Sequence, residues 1–231
     1  MDEILCLCME ADINIQHITY EILQENYSLL LEDGKSTDKE TNEKKFIDKL
    51  REAAKEFFKK VLEAMKRMAI KILSLSNKMK KTAMASDING KMKDVKTPKY
   101  RLSMVTDWAS EQIYTCDNKG VTEYTSFEEF AGSSLETVPG KYSEEKAILD
   151  SYDATIKFVK AEAKRVQSNF TYQYSKHYEK SDTGKNVLKT VFQIQKQAIS
   201  LIQKRTNDAV NYIAIAMKRS YVPFMTYKKL G

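Results

Sequence analysis

Few residues in this chain have the chemistry of a catalytic or metal site. There are two histidines, His17 and His177, and three cysteines, Cys6, Cys8 and Cys116. Both histidines fall within helical patterns, where a histidine is usually a surface or core-edge residue, and the Cys-x-Cys pair lacks a second pair at zinc spacing. An odd cysteine count does not build a disulfide framework. We therefore predict reduced thiols and no metal site.

The glycines and paired acids carry no catalytic motif. Seven glycines are scattered singly and form no P-loop, no Gly-x-Gly-x-x-Gly and no Gly-x-Ser-x-Gly. In each of the pairs Glu128-Glu129 and Glu144-Glu145, the two adjacent side chains would point in different directions on a helix. Their charges suit the positive end of a helix dipole. The sequence thus predicts a protein that is not an enzyme and needs no cofactor. An enzyme would need a site within residues 100–140 that no motif reveals.

The feature with most functional potential is a run of basic residues interleaved with aromatic and aliphatic ones. Such a run is suited to an anionic membrane surface, a polyanion or partner helices. The alternative is a core helix whose lysines reach past its apolar face to water. The candidate contact residues are Lys55, Phe57, Phe58, Lys59, Lys60, Lys66, Arg67 and Lys71.

Charge is arranged along the chain in four blocks of alternating sign. Residues 1–34 carry −8, residues 35–101 carry +11, residues 102–155 carry −8 and residues 156–231 carry +11, for a net charge of +6. The basic blocks would suit DNA, RNA or an anionic membrane. Alternatively, acidic and basic blocks meet within the fold or between subunits.

Composition favours long helices. Only 7 Gly and 3 Pro interrupt 231 residues, of which 42% are hydrophobic and 30% charged. No stretch reaches the roughly 18 to 20 apolar residues that span a bilayer, and Asp2 and Glu3 stand where a secretion signal carries positive charge. We predict a mainly α chain, neither exported by such a signal nor membrane-spanning. Its long amphipathic helices would form an elongated bundle or helical hairpin with a small α+β insert.

Apolar periodicity places the elements of the N-terminal half. An amphipathic helix is predicted over residues 13–31. A capping box, Thr37-Asp38-Lys39-Glu40, precedes a long helix over residues 41–82 with two adjoining apolar stripes, the second of which reaches Leu73. The wide apolar face predicts two helical partners. Residues 83–101, with Asn89-Gly90 and Pro98, are interpreted as a linker.

The remaining elements follow from turn and capping signals. Residues 112–116 and 121–124 predict a β-hairpin, Ser126 predicts a short capped helix, and Trp108 is expected to pack this insert. The C-terminal part is predicted to form an antiparallel hairpin. It consists of a helix capped by Ser143 that runs to about residue 179, a turn at 181–184 and a last helix that ends at Pro223. The predicted segments are an acidic helical region over 1–34, a basic helix and linker over 35–96, the insert over 97–140 and the hairpin over 141–231.

A resemblance to a known class rests on the style of the whole chain. Leu7-Cys8-Met9-Glu10-Ala11-Asp12-Ile13-Asn14-Ile15, the Lys/Phe-rich long helix and the Lys/Tyr-rich helical tail resemble small virion proteins of tailed bacteriophages. Cys8-Met9-Glu10-Ala11 also looks like the sites that phage prohead proteases cleave after Glu.

The resemblance implies a non-enzymatic structural protein inside or lining the capsid or connector, which contacts capsid or connector proteins, packaged DNA or both. It implies an oligomer or part of a larger assembly, located in the host cytoplasm during assembly and then in the virion. No functional residue is carried over from it. The alternative is a helical effector that binds an anionic membrane or nucleic acid through its basic helices.

Overall fold

A computed structural model of the chain describes residues 39–81, 85–177 and 182–229. In chain order the elements are α1 Lys39–Lys81, α2 Ala85–Met92, β1 Lys96–Pro98, α3 Leu102–Lys119, α4 Phe127–Ala131, a 3₁₀ turn Gly132–Leu135, β2 Thr137–Pro139, α5 Tyr142–Asp150, α6 Tyr152–His177 and α7 Asp182–Lys229. The predicted mainly α fold with a small β element is confirmed. The predicted helix at 13–31, the cleavage-like motif at 8–11 and Thr37-Asp38 of the capping box lie outside the described residues.

The C-terminal helix α7 is the common partner of the other long elements. Helices α2, α3 and α5 pack along it, and α1 and α6 also contact it. Its apolar residues recur every three or four positions, which places them on one side of the helix. The buried members of this stripe are Val187, Val191, Ile194, Ala198, Ile202, Ala209, Ile213 and Ala216.

The long helix predicted over residues 41–82 is confirmed as α1. Its wide apolar face contacts two helices, α6 and α7, as that width predicted. The Tyr152 hydroxyl at the start of α6 donates to the Met65 carbonyl at 3.3 Å. On the α7 side, the Phe57 ring meets Phe192 edge-on with centroids 5.6 Å apart.

The linker predicted over residues 83–101 is wrong over most of its length. Residues 85–92 form α2, and Asn89-Gly90 lies inside this helix and not in a turn. Ile88 and Met92 are buried against Ala216 of α7. Burial of this apolar face outweighs the helix penalty of one glycine, which is about 1 kcal/mol.

The predicted β-hairpin is also wrong, because α3 runs through its first strand. Ile113 and Cys116 continue the buried side of α3, so burial against α7 overrides the β preference of this segment. The helix ends at Gly120, whose φ of 64° is left-handed and whose amide donates to the Cys116 carbonyl. The two described strands are instead β1 and β2, which pair antiparallel with Thr97 opposite Val138.

The predicted helix cap at Ser126 and the predicted packing of Trp108 are confirmed. The Ser126 hydroxyl accepts a hydrogen bond from the Glu129 amide at 3.2 Å, as a helix N-cap does. The Trp108 indole N–H donates to the Thr125 carbonyl at 2.8 Å, and its ring meets Phe127 edge-on. Trp108 therefore packs this segment, as predicted.

The C-terminal helices differ from the prediction at their ends. The helix predicted from Ser143 onward is two helices, α5 and α6, separated at Ser151, and its N-cap is Lys141. Helix α7 begins at Asp182 and continues through Pro223 to Lys229. Helices α6 and α7 do pack together, but α7 also packs along α2, α3 and α5. Within the described ranges, no helix has the length and apolarity that a bilayer crossing requires.

Two glycines are expected to respond to alanine in opposite directions. A Cβ on Gly140 would lie 2.9 Å from the Met92 carbonyl oxygen and 3.0 Å from that of Val95. Because backbone atoms cannot yield easily, G140A should lower the free energy of unfolding by about 1–3 kcal/mol. Gly90 lies in α2 with nothing within 4 Å of an added Cβ. G90A should therefore raise the free energy of unfolding by about 0.5–1 kcal/mol. Urea unfolding followed by circular dichroism measures both, and shifts of the same sign would contradict the packing at Gly140.

Candidate docking surface

The side of α1 that faces away from the core is a continuous solvent-exposed stripe. Its residues recur at steps of three or four, with two adjacent pairs, which places them on one face of the helix. They are Glu52, Glu56, Lys59, Glu63, Lys66, Arg67, Ile70, Leu73, Ser74 and Asn77. The stripe begins with charges of both signs and becomes apolar near the end of the helix.

The apolar part of the stripe consists of two large aliphatic side chains. Ile70 is 66% exposed and Leu73 is 63% exposed, and they are neighbours on the helix surface. Lys66 and Arg67 are exposed about one turn earlier. We name Lys66, Arg67, Ile70 and Leu73 the Ile70 surface. Burying either aliphatic side chain fully is worth about 1.5–3 kcal/mol, so this small apolar centre with a basic rim has the chemistry of a protein contact.

Helix α6 packs on the inner side of α1 and leaves the exposed stripe in water. Tyr152, the first residue of α6, contacts α1 at Met65. Ten residues further along α6, Glu162 accepts a hydrogen bond from Gln195 of α7. Gln195 is one turn from Phe192, whose ring meets Phe57 of α1. Helix α6 therefore runs back along the first half of α1.

The two phenylalanines predicted to touch a partner are core residues. Phe57 is 6% exposed and Phe58 is 3% exposed. Their rings meet edge-on with centroids 5.4 Å apart. This corrects the prediction for these two residues. Both apolar stripes of α1 point inward at this level, so the rings pack beneath α6 and α7.

The predicted basic contact residues lie on the outer side of the same helix. Lys59, Lys66 and Arg67 are exposed, whereas Lys55, Lys60 and Lys71 are half-buried. The Lys55 ammonium binds the Glu52 carboxylate at 2.6 Å within the helix. The structure therefore separates the eight candidates into two buried rings and six lysine and arginine side chains at or near the surface.

The two aliphatic residues of the Ile70 surface were missed as contact residues. Leu73 belongs to the second apolar stripe that the sequence predicts for α1, and Ile70 falls outside both stripes. An isoleucine outside the apolar stripes of a helix was the signal that could have found the surface, because it falls at stripe spacing from Lys66 and Arg67.

A buried ion pair joins three parts of the fold away from this surface. Arg205 of α7 makes two hydrogen bonds to the Glu145 carboxylate of α5, at 2.7 and 2.8 Å. Its remaining donors reach the carbonyls of Tyr100 and Pro98, at 3.1 and 3.2 Å. Both charged side chains are 1% exposed. This satisfied and enclosed pair holds α5 and the end of β1 against α7.

The signal for this pair was present in the sequence. Arg205 falls between Ile202 and Ala209 at the spacing of the buried α7 stripe. A charged residue at such a position needs a buried partner of opposite sign. The sequence did not show which of the many acids would supply it.

A second polar network joins α3, α6 and α7. The Arg165 guanidinium pairs with the carboxylates of Asp117 and Glu162. Glu162 also accepts a hydrogen bond from the Gln195 amide at 2.7 Å. These side chains connect helices whose apolar faces are already buried together, so the network is explained by helix packing.

Alkaline pH is expected to weaken the fold through Tyr100. Burial raises the pKa of its phenol from 10.0 to about 12, although the Arg205 guanidinium acts in the opposite direction. The phenol of the unfolded chain ionises near pH 10 while the folded one stays neutral, so stability present below about pH 10 is lost as the pH rises towards 12. Urea midpoints should show a smaller alkaline loss for Y100F than for the wild type. Burial also raises the pKa of Tyr152 and Tyr212, so part of the loss should remain, and identical losses in both proteins would contradict the assignment to Tyr100.

Comparison with known proteins identifies no relative. No family model, no curated protein and no solved structure matches the chain. Among the described residues, no three or more His, Cys, Asp and Glu side chains are grouped so that they could hold a metal ion.

Proposed function

We propose that the chain is a non-enzymatic structural protein of a virion, which docks through the Ile70 surface onto protein subunits of the capsid or connector, copies of this chain included. The observation that carries the proposed docking is the pair Ile70 and Leu73, each about two-thirds exposed beside two exposed cations. A rim of charge around an apolar centre is the ordinary anatomy of a protein interface. Helix α1, with 43 residues, is roughly 65 Å long and provides a rigid support for it.

The charge pattern of the stripe favours a protein partner over a polyanion. Glu52, Glu56 and Glu63 are exposed among the cations of the same face. Lys55 is already paired with Glu52. A surface that follows a phosphate backbone gains affinity from each cation and loses it from each interspersed carboxylate. Mixed charges instead set register and specificity at a protein contact.

Site-specific photo-crosslinking tests the proposal. A photoreactive amino acid replaces Ile70 in the full chain, and a matched variant carries it at Glu56, which is exposed on the same face. Both are produced together with the capsid and connector proteins of the same genome. We expect position 70 to form adducts with a protein subunit in assembled particles and position 56 to form far fewer. Equal yields from both positions, or no protein adduct from position 70, would contradict the proposal.

A second candidate function is a helical effector that binds nucleic acid or an anionic membrane. Its support is the set of exposed cations on α1 together with Lys157 and Lys160, which are exposed on α6. Titration with duplex DNA at roughly 50 and 200 mM salt tests it, because neutralising several phosphates makes affinity fall by orders of magnitude over that range. Vesicles of phosphatidylcholine with and without phosphatidylserine test the membrane form. Steep salt-dependent binding that charge reversal at Lys59, Lys60, Lys66 and Arg67 abolishes would favour this candidate.

A further inference from the structure

We infer that the partner covering the Ile70 surface is a second copy of this chain, which presents the solvent face of its α3. The inference rests on the proposed function and names the first subunit that the Ile70 surface binds. Its basis is the complementarity of two exposed helix faces that one molecule carries on different elements.

The solvent face of α3 carries two carboxylates and an exposed aromatic ring. Asp107, Glu111, Tyr114 and Asn118 are exposed and recur every three or four residues, so they share one face of the helix. Tyr114 is 69% exposed, the largest exposed fraction among the exposed large hydrophobic side chains in the described part of the chain. We name these four residues the Asp107 stripe. Helix α3 carries no basic residue before Lys119 at its end, so the two carboxylates are the only charges in the stripe.

The Asp107 stripe matches the Ile70 surface in both charge and apolar content. The Asp107 stripe presents two carboxylates followed, one turn later, by the Tyr114 ring. The Ile70 surface presents two cations followed, about one turn later, by Ile70 and Leu73. Laid side by side, the helices can place Lys66 and Arg67 against Asp107 and Glu111 while the aliphatic side chains pack on the tyrosine. Complementary charges of this kind speed encounter and set register, and the apolar contact supplies affinity.

Within one molecule these two faces do not cover each other, because the side chains of both are exposed in the folded chain. Each copy therefore offers one face of each kind. A contact between two different faces is heterologous, and it repeats from copy to copy until it closes a ring or extends as a filament. An assembly of this geometry is suited to a structural protein.

Sedimentation velocity of the full chain tests the inference directly. The wild-type protein should move from monomer to larger species as its concentration rises through the micromolar range. Added salt should weaken this association, since screening reduces attraction between exposed charges. A protein that stays monomeric at all these concentrations in low salt would overturn the inference. The proposed function would survive that result if photo-crosslinks from position 70 to capsid or connector protein persist.

A charge exchange between the two faces gives the sharper test. K66E/R67E should weaken self-association at least about 100-fold through like-charge repulsion, and D107K/E111K should do the same. Mixing the two variants in equal amounts should restore assembly, because each reversed face then meets its complement. K157E/K160E makes the same change in net charge as K66E/R67E on another helix and should assemble like the wild type. Circular dichroism of each variant confirms that the helices are intact.

Two further outcomes would overturn the inference. In one, K66E/R67E blocks association while D107K/E111K does not, which would mean that the acidic partner lies elsewhere. In the other, the mixture of the two variants stays dissociated although each is folded. Binding to duplex DNA by a chain that remains monomeric, if abolished by K66E/R67E, would assign the surface to a polyanion and would also count against a second copy.

Discussion

Replacing Arg205 with methionine is expected to lower the free energy of unfolding by about 3–5 kcal/mol. The substitution leaves the Glu145 carboxylate, 1% exposed, without its bidentate partner. It also removes the donor from the carbonyls of Tyr100 and Pro98. A lone buried charge has no water to solvate it, which explains a loss much larger than that of an ordinary hydrogen bond. Urea unfolding followed by circular dichroism at neutral pH measures the change.

A double-mutant cycle separates the pair from its surroundings. E145L alone should also be strongly destabilising, because it leaves the buried guanidinium without its carboxylate partner. R205M/E145L should cost less than the sum of the single changes by several kcal/mol, since it leaves neither charge behind. The exposed pair between Lys146 and Asp150 provides the control, and K146M should cost no more than about 1 kcal/mol. Additive single effects, or a loss for R205M as small as that for K146M, would show that the ion pair is not buried in this way.

Replacing Trp108 with alanine is expected to cost about 3–5 kcal/mol, the range for emptying the space of a large buried aromatic side chain. The side chain is 0% exposed and lies edge-on to Phe127. W108F should retain part of the packing but should still be destabilising, because it leaves the Thr125 carbonyl without the indole donor. Thermal unfolding followed by circular dichroism ranks the variants.

The matched control for Trp108 lies on the same helix. Tyr114 is 69% exposed, and Y114A, measured where the protein is dilute, should change stability by no more than about 0.5 kcal/mol. The contrast between the two aromatic residues depends on burial and not on residue type. Losses of similar size for W108A and Y114A would contradict the packing of α3.

The elements that the sequence predicted correctly are those whose signal is local. The apolar residues of α1 recur from Phe46 to Met79, over about nine turns, and only a helix with a buried side satisfies such a period. The cap at Ser126 depends on its own hydroxyl and the Glu129 amide three residues later, so the four-residue motif contains the whole interaction.

The failed predictions concern segments whose local preference is outweighed by burial. Residues 112–116 are rich in β-prone side chains, yet Ile113 and Cys116 are buried as part of α3. Asn89-Gly90 has the composition of a turn, yet Ile88 and Met92 on either side of it are held in α2 by contact with α7. In both cases a packing partner more than 60 residues away in the chain decides the conformation, and local propensity contains no information about that partner.

The sequence by itself determined the fold class, the extent of α1, the blocks of charge and the set of basic side chains on α1. Those properties depend on periodicity, on composition and on residues near one another in the chain. Only the tertiary structure decided that Phe57 and Phe58 are core while Ile70 and Leu73 face water, and that Arg205 finds Glu145. The physical reason is that an apolar stripe requires cover and a buried charge requires a partner, but which element supplies either depends on how distant helices pack together.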